Sequence, residues 1–140
     1  MGLFSNAEEV YKCIGGMMEE ARTHEQMGPK IQASGLIIRF VYSDPDAQIT
    51  IDAANPEEGF YYNVIAGPSE LEPNVLMTMT ADVAHQFWLG KVNLTAALTR
   101  GQMKAKGPIQ AILKLLPAIK PAYSLYPEYL KKIGFGHLLG

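Results

Sequence analysis

Hydrophobic residues change their period twice along this chain. From Val10 they recur at Ile14, Met17 and Ala21, the spacing of one helix face. Ser5 and Glu8 stand as a capping box ahead of that stripe, and Gly28-Pro29 is expected to stop the helix. Gly15 and Gly16 lie off the stripe, where each costs up to about 1 kcal/mol against alanine.

A period of two comes next. In 36–42 Leu36, Ile38, Phe40 and Tyr42 share one face, with Arg39 on the other. After the turn Asp44-Pro45-Asp46, Ile49, Ile51 and Ala53 alternate with Gln48, Thr50 and Asp52, which predicts a half-buried strand. Residues 55–59 form a second turn, and 60–66, FYYNVIA, reads as a strand. A loop over 67–74 leads to 75–80, a strand with Val75, Met77 and Met79 on one face.

The helical period then returns. Thr80 is placed to cap a helix that runs to Leu89, with Asp82 in its first turn, where the dipole favours an acid. Asn93 caps a short helix that Gly101 ends, and 102–106 alternates with Met103 and Ala105 inward. Gly107-Pro108 opens a last helix with Ile109, Ile112, Leu113 and Leu116 as its stripe. Pro117, Pro121 and Pro127 are expected to break residues 117–140 into short helices packed over an apolar surface. The order of elements is the α+β pattern, an antiparallel sheet covered on one side.

Composition supports one folded domain over 1–140. The chain has 140 residues, 48% hydrophobic and 19% charged, enough for a core without disulfides or metal. No apolar run approaches a membrane span, and the N-terminus lacks a basic segment followed by an apolar one, so a cytoplasmic location is expected. The single cysteine, Cys13, falls on the helical pattern and reads as a buried bystander rather than a reactive thiol.

Charge is uneven. Residues 1–90 hold thirteen acids against four bases, and 91–140 hold one acid, Glu128, against eight bases. Either the basic part meets an anionic partner, such as phospholipid headgroups or a ligand phosphate, or it is a solvated face pairing with the acidic half. Nucleic acid is not expected, because the bases are dispersed and no nucleic-acid motif accompanies them.

Catalytic chemistry is sparse. His24, His85 and His137 have no zinc spacing, and there is no nucleophile elbow or phosphate-cradling glycine loop. No cofactor or metal is expected. Asp82 and His85, one helical turn apart, could serve as orienter and base, but a surface pair is the expected reading. What stands out is a soft apolar set: Met77, Met79, Phe87, Trp88, Met103, Ile109, Ile112 and Leu113 converge if helices roof the sheet. Such a set is either an ordinary core or the wall of an apolar site.

The stretch 74–116 bears on that choice. It carries Asp82 at a helix start, the step Gly90-Lys91-Val92-Asn93, Ala97 in a short helix, and Gly101-Gln102-Met103-Lys104-Ala105-Lys106-Gly107 before an apolar helix. In that order these elements resemble the sterol carrier protein family of non-specific lipid-transfer domains. The resemblance covers about a third of the chain firmly. It implies a five-stranded, mostly antiparallel sheet with helices on one face and an apolar tunnel between them.

It also implies non-catalytic binding of fatty acids, fatty acyl-CoA, phospholipids or sterols. The implied tunnel wall takes Met103, Ile109, Gln110, Leu113 and Leu116 from the last strand and helix, and Phe87 and Trp88 from the helix before. Gln110 would be a polar anchor at the mouth or a solvent-facing residue. Lys104, Lys106 and Lys114 are expected to steer anionic headgroups. The sequence departs from the family by ending Leu138-Leu139-Gly140, where many members carry a peroxisomal tripeptide. It also carries a helical extension over 117–140, expected as a lid, an oligomer contact or a plug.

The function expected from all this is lipid binding and transfer. One alternative is an accessory subunit of a lipid-metabolising enzyme, with its tunnel closed. A third reading is an enzyme that uses Asp82 and His85 on a bound lipid.

Overall fold

The computed structural model describes residues 2–139. Five strands form one mixed sheet: β1 (Ile37–Ser43), β2 (Ala47–Asp52), β3 (Asn63–Ala66), β4 (Val75–Thr80) and β5 (Met103–Lys106), in the order β3-β2-β1-β4-β5. Only β1 and β4 are parallel, and the other neighbours pair antiparallel. The sheet is thus five-stranded, mostly antiparallel and covered by helices on its inner face.

Cross-strand register stacks the inward side chains in rows. Phe40 stands beside Met77, and Tyr42 beside Met79, which in turn faces Met103. Rows of this kind place neighbouring side chains within contact distance, so the alternation along each strand becomes one apolar surface.

The helices are α1 (Ala7–Val10), α2 (Gly16–Glu20), α3 (Gly28–Ser34), α4 (Ala81–Trp88), α5 (Leu94–Arg100), α6 (Ile109–Ile119) and α7 (Ala122–Lys132). A π turn, Tyr11–Gly15, joins α1 to α2, and short 3-10 turns occupy Ala21–Thr23 and Gly136–Leu139. Val10, Ile14, Met17 and Ala21 are buried against the sheet. Thr80 and Asn93 cap α4 and α5 by accepting from the amides of Val83 and Ala96.

Several local expectations shift. The capping box lies one residue later: Asn6 accepts from the Glu9 amide, and the Glu9 carboxylate accepts from the Ser5 amide. Gly28-Pro29 opens α3 rather than stopping a helix, because the first helical run already ends at Thr23, and proline suits a first turn. The His24 imidazole accepts from the amides of Gln26 and Met27 across that gap. Gly16 faces α7, where an added Cβ would fall 2.0 Å from the Tyr129 hydroxyl oxygen.

Phe60 to Tyr62 are not strand. They wrap Arg22, whose guanidinium stacks on the Phe60 ring and donates to the Tyr62 carbonyl, while the Tyr61 amide donates to the Arg22 carbonyl. Backbone groups spent on Arg22 cannot join the ladder to β2.

Nor is β2 half-buried. The crossover 67–74 runs over the outer face, so Thr50 and Asp52 are buried as well as the isoleucines. Arg39 holds the crossover by donating to the carbonyls of Ser69 and Leu71 and to the Thr50 hydroxyl.

Pro117 and Pro127 lie inside α6 and α7, and only Pro121 stands at a break. Pro117 is on the exposed side of α6, where water can take the carbonyl that loses its amide partner.

Candidate functional site

Between the inner sheet face and the helices lie two apolar cavities. Seven of the ten expected site residues line the first: Met77, Met79, Phe87, Trp88, Met103, Ile112 and Leu116. Strand alternation aims the three methionines inward, and the last turn of α4 delivers Phe87 and Trp88. Ile38, Phe40, Leu94, Leu115 and Ile119 complete the wall.

The other three, Ile109, Gln110 and Leu113, line neither of these two cavities. α6 turns Ile112, Leu115, Leu116 and Ile119 toward the sheet, at the i, i+3, i+4, i+7 spacing of one face. Leu113 lies about 100° round from Ile112 and Gln110 about 200°, so neither joins that row; Leu113 packs half-buried against the core and Gln110 is exposed. Ile109 has a compatible phase but sits in the first turn and is 38% exposed. The row that lines the cavities is therefore rotated from the expected stripe of Ile109, Ile112, Leu113 and Leu116, and Gln110 is exposed and lines neither cavity.

The second cavity lies toward α2 and α3, away from the elements that the sequence pattern singles out. Met17, Met18, Met27 and Ile31 line it from the helices, with Ile51 and Tyr62 opposite. Ile38, Phe40, Trp88, Leu115 and Ile119 border both cavities and form the partition between them. The inward face of β1 is the signal that could have found Ile38 and Phe40. Met27 and Ile31 carry no such signal, because Gly28-Pro29 reads locally as a stop.

Each cavity encloses about 60 Å³. Ligand pockets usually span roughly 300–1,000 Å³. A long hydrocarbon chain therefore enters only if the partition or a covering helix moves.

The lining is almost entirely apolar. The Tyr62 hydroxyl is tied to the Met18 carbonyl at 2.8 Å. The Tyr42 hydroxyl lines neither cavity; it is buried beyond Met79 with no hydrogen-bond partner, and desolvation pushes its ionisation far up. Such surroundings exclude water and offer little to read a polar headgroup. Lys104 and Lys106 project from the opposite face of the sheet, which leaves Lys114 as the one of the three steering lysines on an element that lines the cavities.

Asp82 and His85 form no catalytic pair. His85 is completely buried rather than on the surface. Its Nδ1 lies 2.7 Å from the Tyr126 hydroxyl and its Nε2 3.0 Å from the Leu138 carbonyl. A carbonyl only accepts, so Nε2 carries the proton and Nδ1 accepts from Tyr126. Desolvation lowers the imidazole's pKa and keeps it neutral. Asp82 instead accepts from the Leu3 amide. Among the described residues no three His, Cys, Asp or Glu side chains gather as metal ligands. No helix there is long and apolar enough to cross a membrane.

The model of the SCP-2 sterol transfer family matches residues 18–120, a span that includes all five strands and α3 to α6. The chain belongs to this family. Among solved structures it is similar to sterol carrier protein domain 2 of Helicoverpa armigera, with 21% identity, a TM-score of 0.63, and coverage of 83% of this chain and 91% of that one.

It is also similar to sterol carrier protein 2 of Aedes aegypti in complex with palmitate, a C16 fatty acid. There the identity is 16%, the TM-score 0.52, and the coverage 81% of this chain and 94% of that one. A third similar structure is an inverting sec-alkylsulfatase from Pseudomonas sp., at 17% identity and a TM-score of 0.51. That match covers 61% of this chain and only 13% of the sulfatase, so the fold also occurs as a small part of an enzyme. No curated protein matches the chain by sequence.

Proposed function

We propose that this protein is a non-catalytic carrier that binds and transfers lipids in the apolar space between sheet and helices. The carrying observation is the pair of neighbouring apolar cavities that share Ile38, Phe40, Trp88, Leu115 and Ile119 in their walls. Movement of that partition joins two short hollows into one long one, the shape an acyl chain needs. The family and the palmitate complex of the Aedes aegypti protein support an acyl ligand. Fatty acid, fatty acyl-CoA, phospholipid and sterol-like molecules are the ligand classes, since the walls read hydrocarbon and not headgroups.

The energetics suit a shuttle. Burying sixteen carbons gains roughly 12 kcal/mol at about 0.8 kcal/mol per methylene. Association costs about 4–15 kcal/mol, and opening the partition costs more. Reversible, poorly selective binding is the result. The occupied nitrogens of His85 support a carrier over an enzyme, because neither is free to move a proton at a ligand.

Native mass spectrometry of the purified protein, with displacement of a fluorescent fatty acid by palmitate, tests this reading. A co-purifying lipid or saturable displacement is expected. Absence of both overturns it. The small volume of the cavities favours one second reading, an accessory subunit of a lipid-metabolising enzyme with a closed tunnel. A stable enzyme partner together with no lipid uptake would select it.

A further inference from the structure

Helix α6 is apolar beyond what its inner face requires. Its sequence, IQAILKLLPAI, contains one charged residue, Lys114. Ile112, Leu115, Leu116 and Ile119 face the cavities, yet Ile109 is exposed, and Leu113, at the edge of the core, is only half-buried. The main backbone contact of the helix is with α3, and it makes none of comparable extent with the sheet.

Charge around it is one-sided. No Asp or Glu occurs between Asp82 and Glu128. Lys114 on α6 and Lys120 at its end are exposed, and neither pairs with a carboxylate among the described residues. Lys30 of α3 shares a surface depression with Lys114, which adds another cation. Apolar side chains beside unpaired lysines are the chemistry of a helix that lies in the boundary of an anionic lipid surface. The first helical run does not offer this, since its apolar stripe is buried and its outer face carries Glu8, Glu9, Glu19 and Glu20.

We propose that α6 is a lid that docks on an anionic lipid bilayer. Ile109 and Leu113 enter the headgroup boundary, and Lys114 and Lys120 meet lipid phosphates. Docking draws α6 away from the sheet and lifts Leu115 and Ile119 out of the partition. The two cavities then merge at the place where a lipid is available. This deepens the carrier reading and rests on it. It also accounts for cavities too small for a chain in the free protein.

The test separates docking from carriage. Ligand-free protein is co-sedimented with vesicles of phosphatidylcholine mixed with phosphatidylserine, and with phosphatidylcholine alone. Docking is expected only with the mixture and should weaken as salt rises. Lys114→Gln with Lys120→Gln should weaken it roughly tenfold or more, as should Ile109→Ser with Leu113→Ser.

Palmitate uptake is then followed from both vesicles and from cyclodextrin. Uptake from the anionic vesicles should outpace uptake from neutral ones roughly tenfold. Both double variants should lose that advantage while binding palmitate from cyclodextrin normally. Equal sedimentation with both vesicles, or variants that load as fast as the parent, overturns the lid. Dimerisation in the absence of lipid that Ile109→Ser with Leu113→Ser abolishes assigns the face to a second copy and also overturns it. Docking without palmitate uptake from any source sinks the carrier reading instead.

Discussion

The Tyr126 hydroxyl donates to Nδ1 of His85 at 2.7 Å, and this contact ties α7 to α4 in the core. The opposite ring nitrogen donates to Leu138, so one imidazole also holds the last described turn. The Phe4 ring packs edge-on against the same imidazole. Three distant stretches of chain thus meet on a residue whose neighbours Phe87 and Trp88 line the cavity.

Replacing His85 with alanine leaves the Tyr126 hydroxyl and the Leu138 carbonyl unpaired in the core and opens a void. The expected loss is about 2–4 kcal/mol of stability. The pH dependence has a definite sign. The folded protein holds His85 below its ordinary 6.5, because burial disfavours the cation. In the window between that lowered value and 6.5 the unfolded chain binds more protons, so stability falls as pH falls through it and is full above it. Urea unfolding at about pH 7.5 and about pH 5 should show a larger acid loss for the parent than for His85→Ala. Parallel losses in the two proteins would mean that His85 is not the titrating group.

Gly107, which leads from β5 into α6, has φ of 111°, and a Cβ there would lie 2.2 Å from the Asn74 carbonyl oxygen. The colliding atom is backbone, so nothing yields cheaply. Gly107→Ala should cost roughly 2–4 kcal/mol in thermal or urea unfolding. Gly101 also has positive φ, at 77°, but nothing within 4 Å, so Gly101→Ala should cost only about 1–2 kcal/mol. Equal costs would rule out the Asn74 collision as the reason for Gly107.

Trp88 is the only tryptophan and borders both cavities. Its emission should therefore change saturably as palmitate is added. Met77→Phe places a stiff ring in the first cavity and should weaken palmitate binding roughly tenfold, while stability stays within about 1 kcal/mol of the parent. An emission blind to palmitate that binds by other measures would put the ligand elsewhere.

Cys13 is buried, and desolvation, reinforced by Glu9, pushes its thiol up to about 12. Almost no thiolate exists near neutral pH. A thiol reagent should label the native protein only as fast as it unfolds, and label it at once in denaturant. Rapid labelling of native protein would expose a local opening of the first helical run.

Much of this arrangement is legible in the residues themselves. The alternation in 75–80 and 102–106 places Met77, Met79 and Met103 on the inner face because side-chain direction in a strand is a local property. The caps at Thr80 and Asn93 are local in the same way, as is the ordered motif from Asp82 to Gly107 that marks the family. Met77, Met79 and Met103 line the first cavity for that reason.

The misses share a cause of another kind. His85 reads as a surface residue because Asp82 is its neighbour in sequence, whereas Tyr126 and Leu138 are its neighbours in space. Thr50 reads as solvent-facing because alternation says nothing of a crossover carried back over the outer face by Arg39. Ile109, Gln110 and Leu113 fall outside the cavities because the rotation of α6 is set by what it packs against. Sequence alone determined the period of each element, its caps, its turns and the family, all of which arise from chemistry within a few residues. Tertiary structure alone decided which face of α6 turns inward, that His85 is buried and neutral, and that the hollow is two small cavities behind a side-chain partition, because these depend on contacts between residues far apart in the chain.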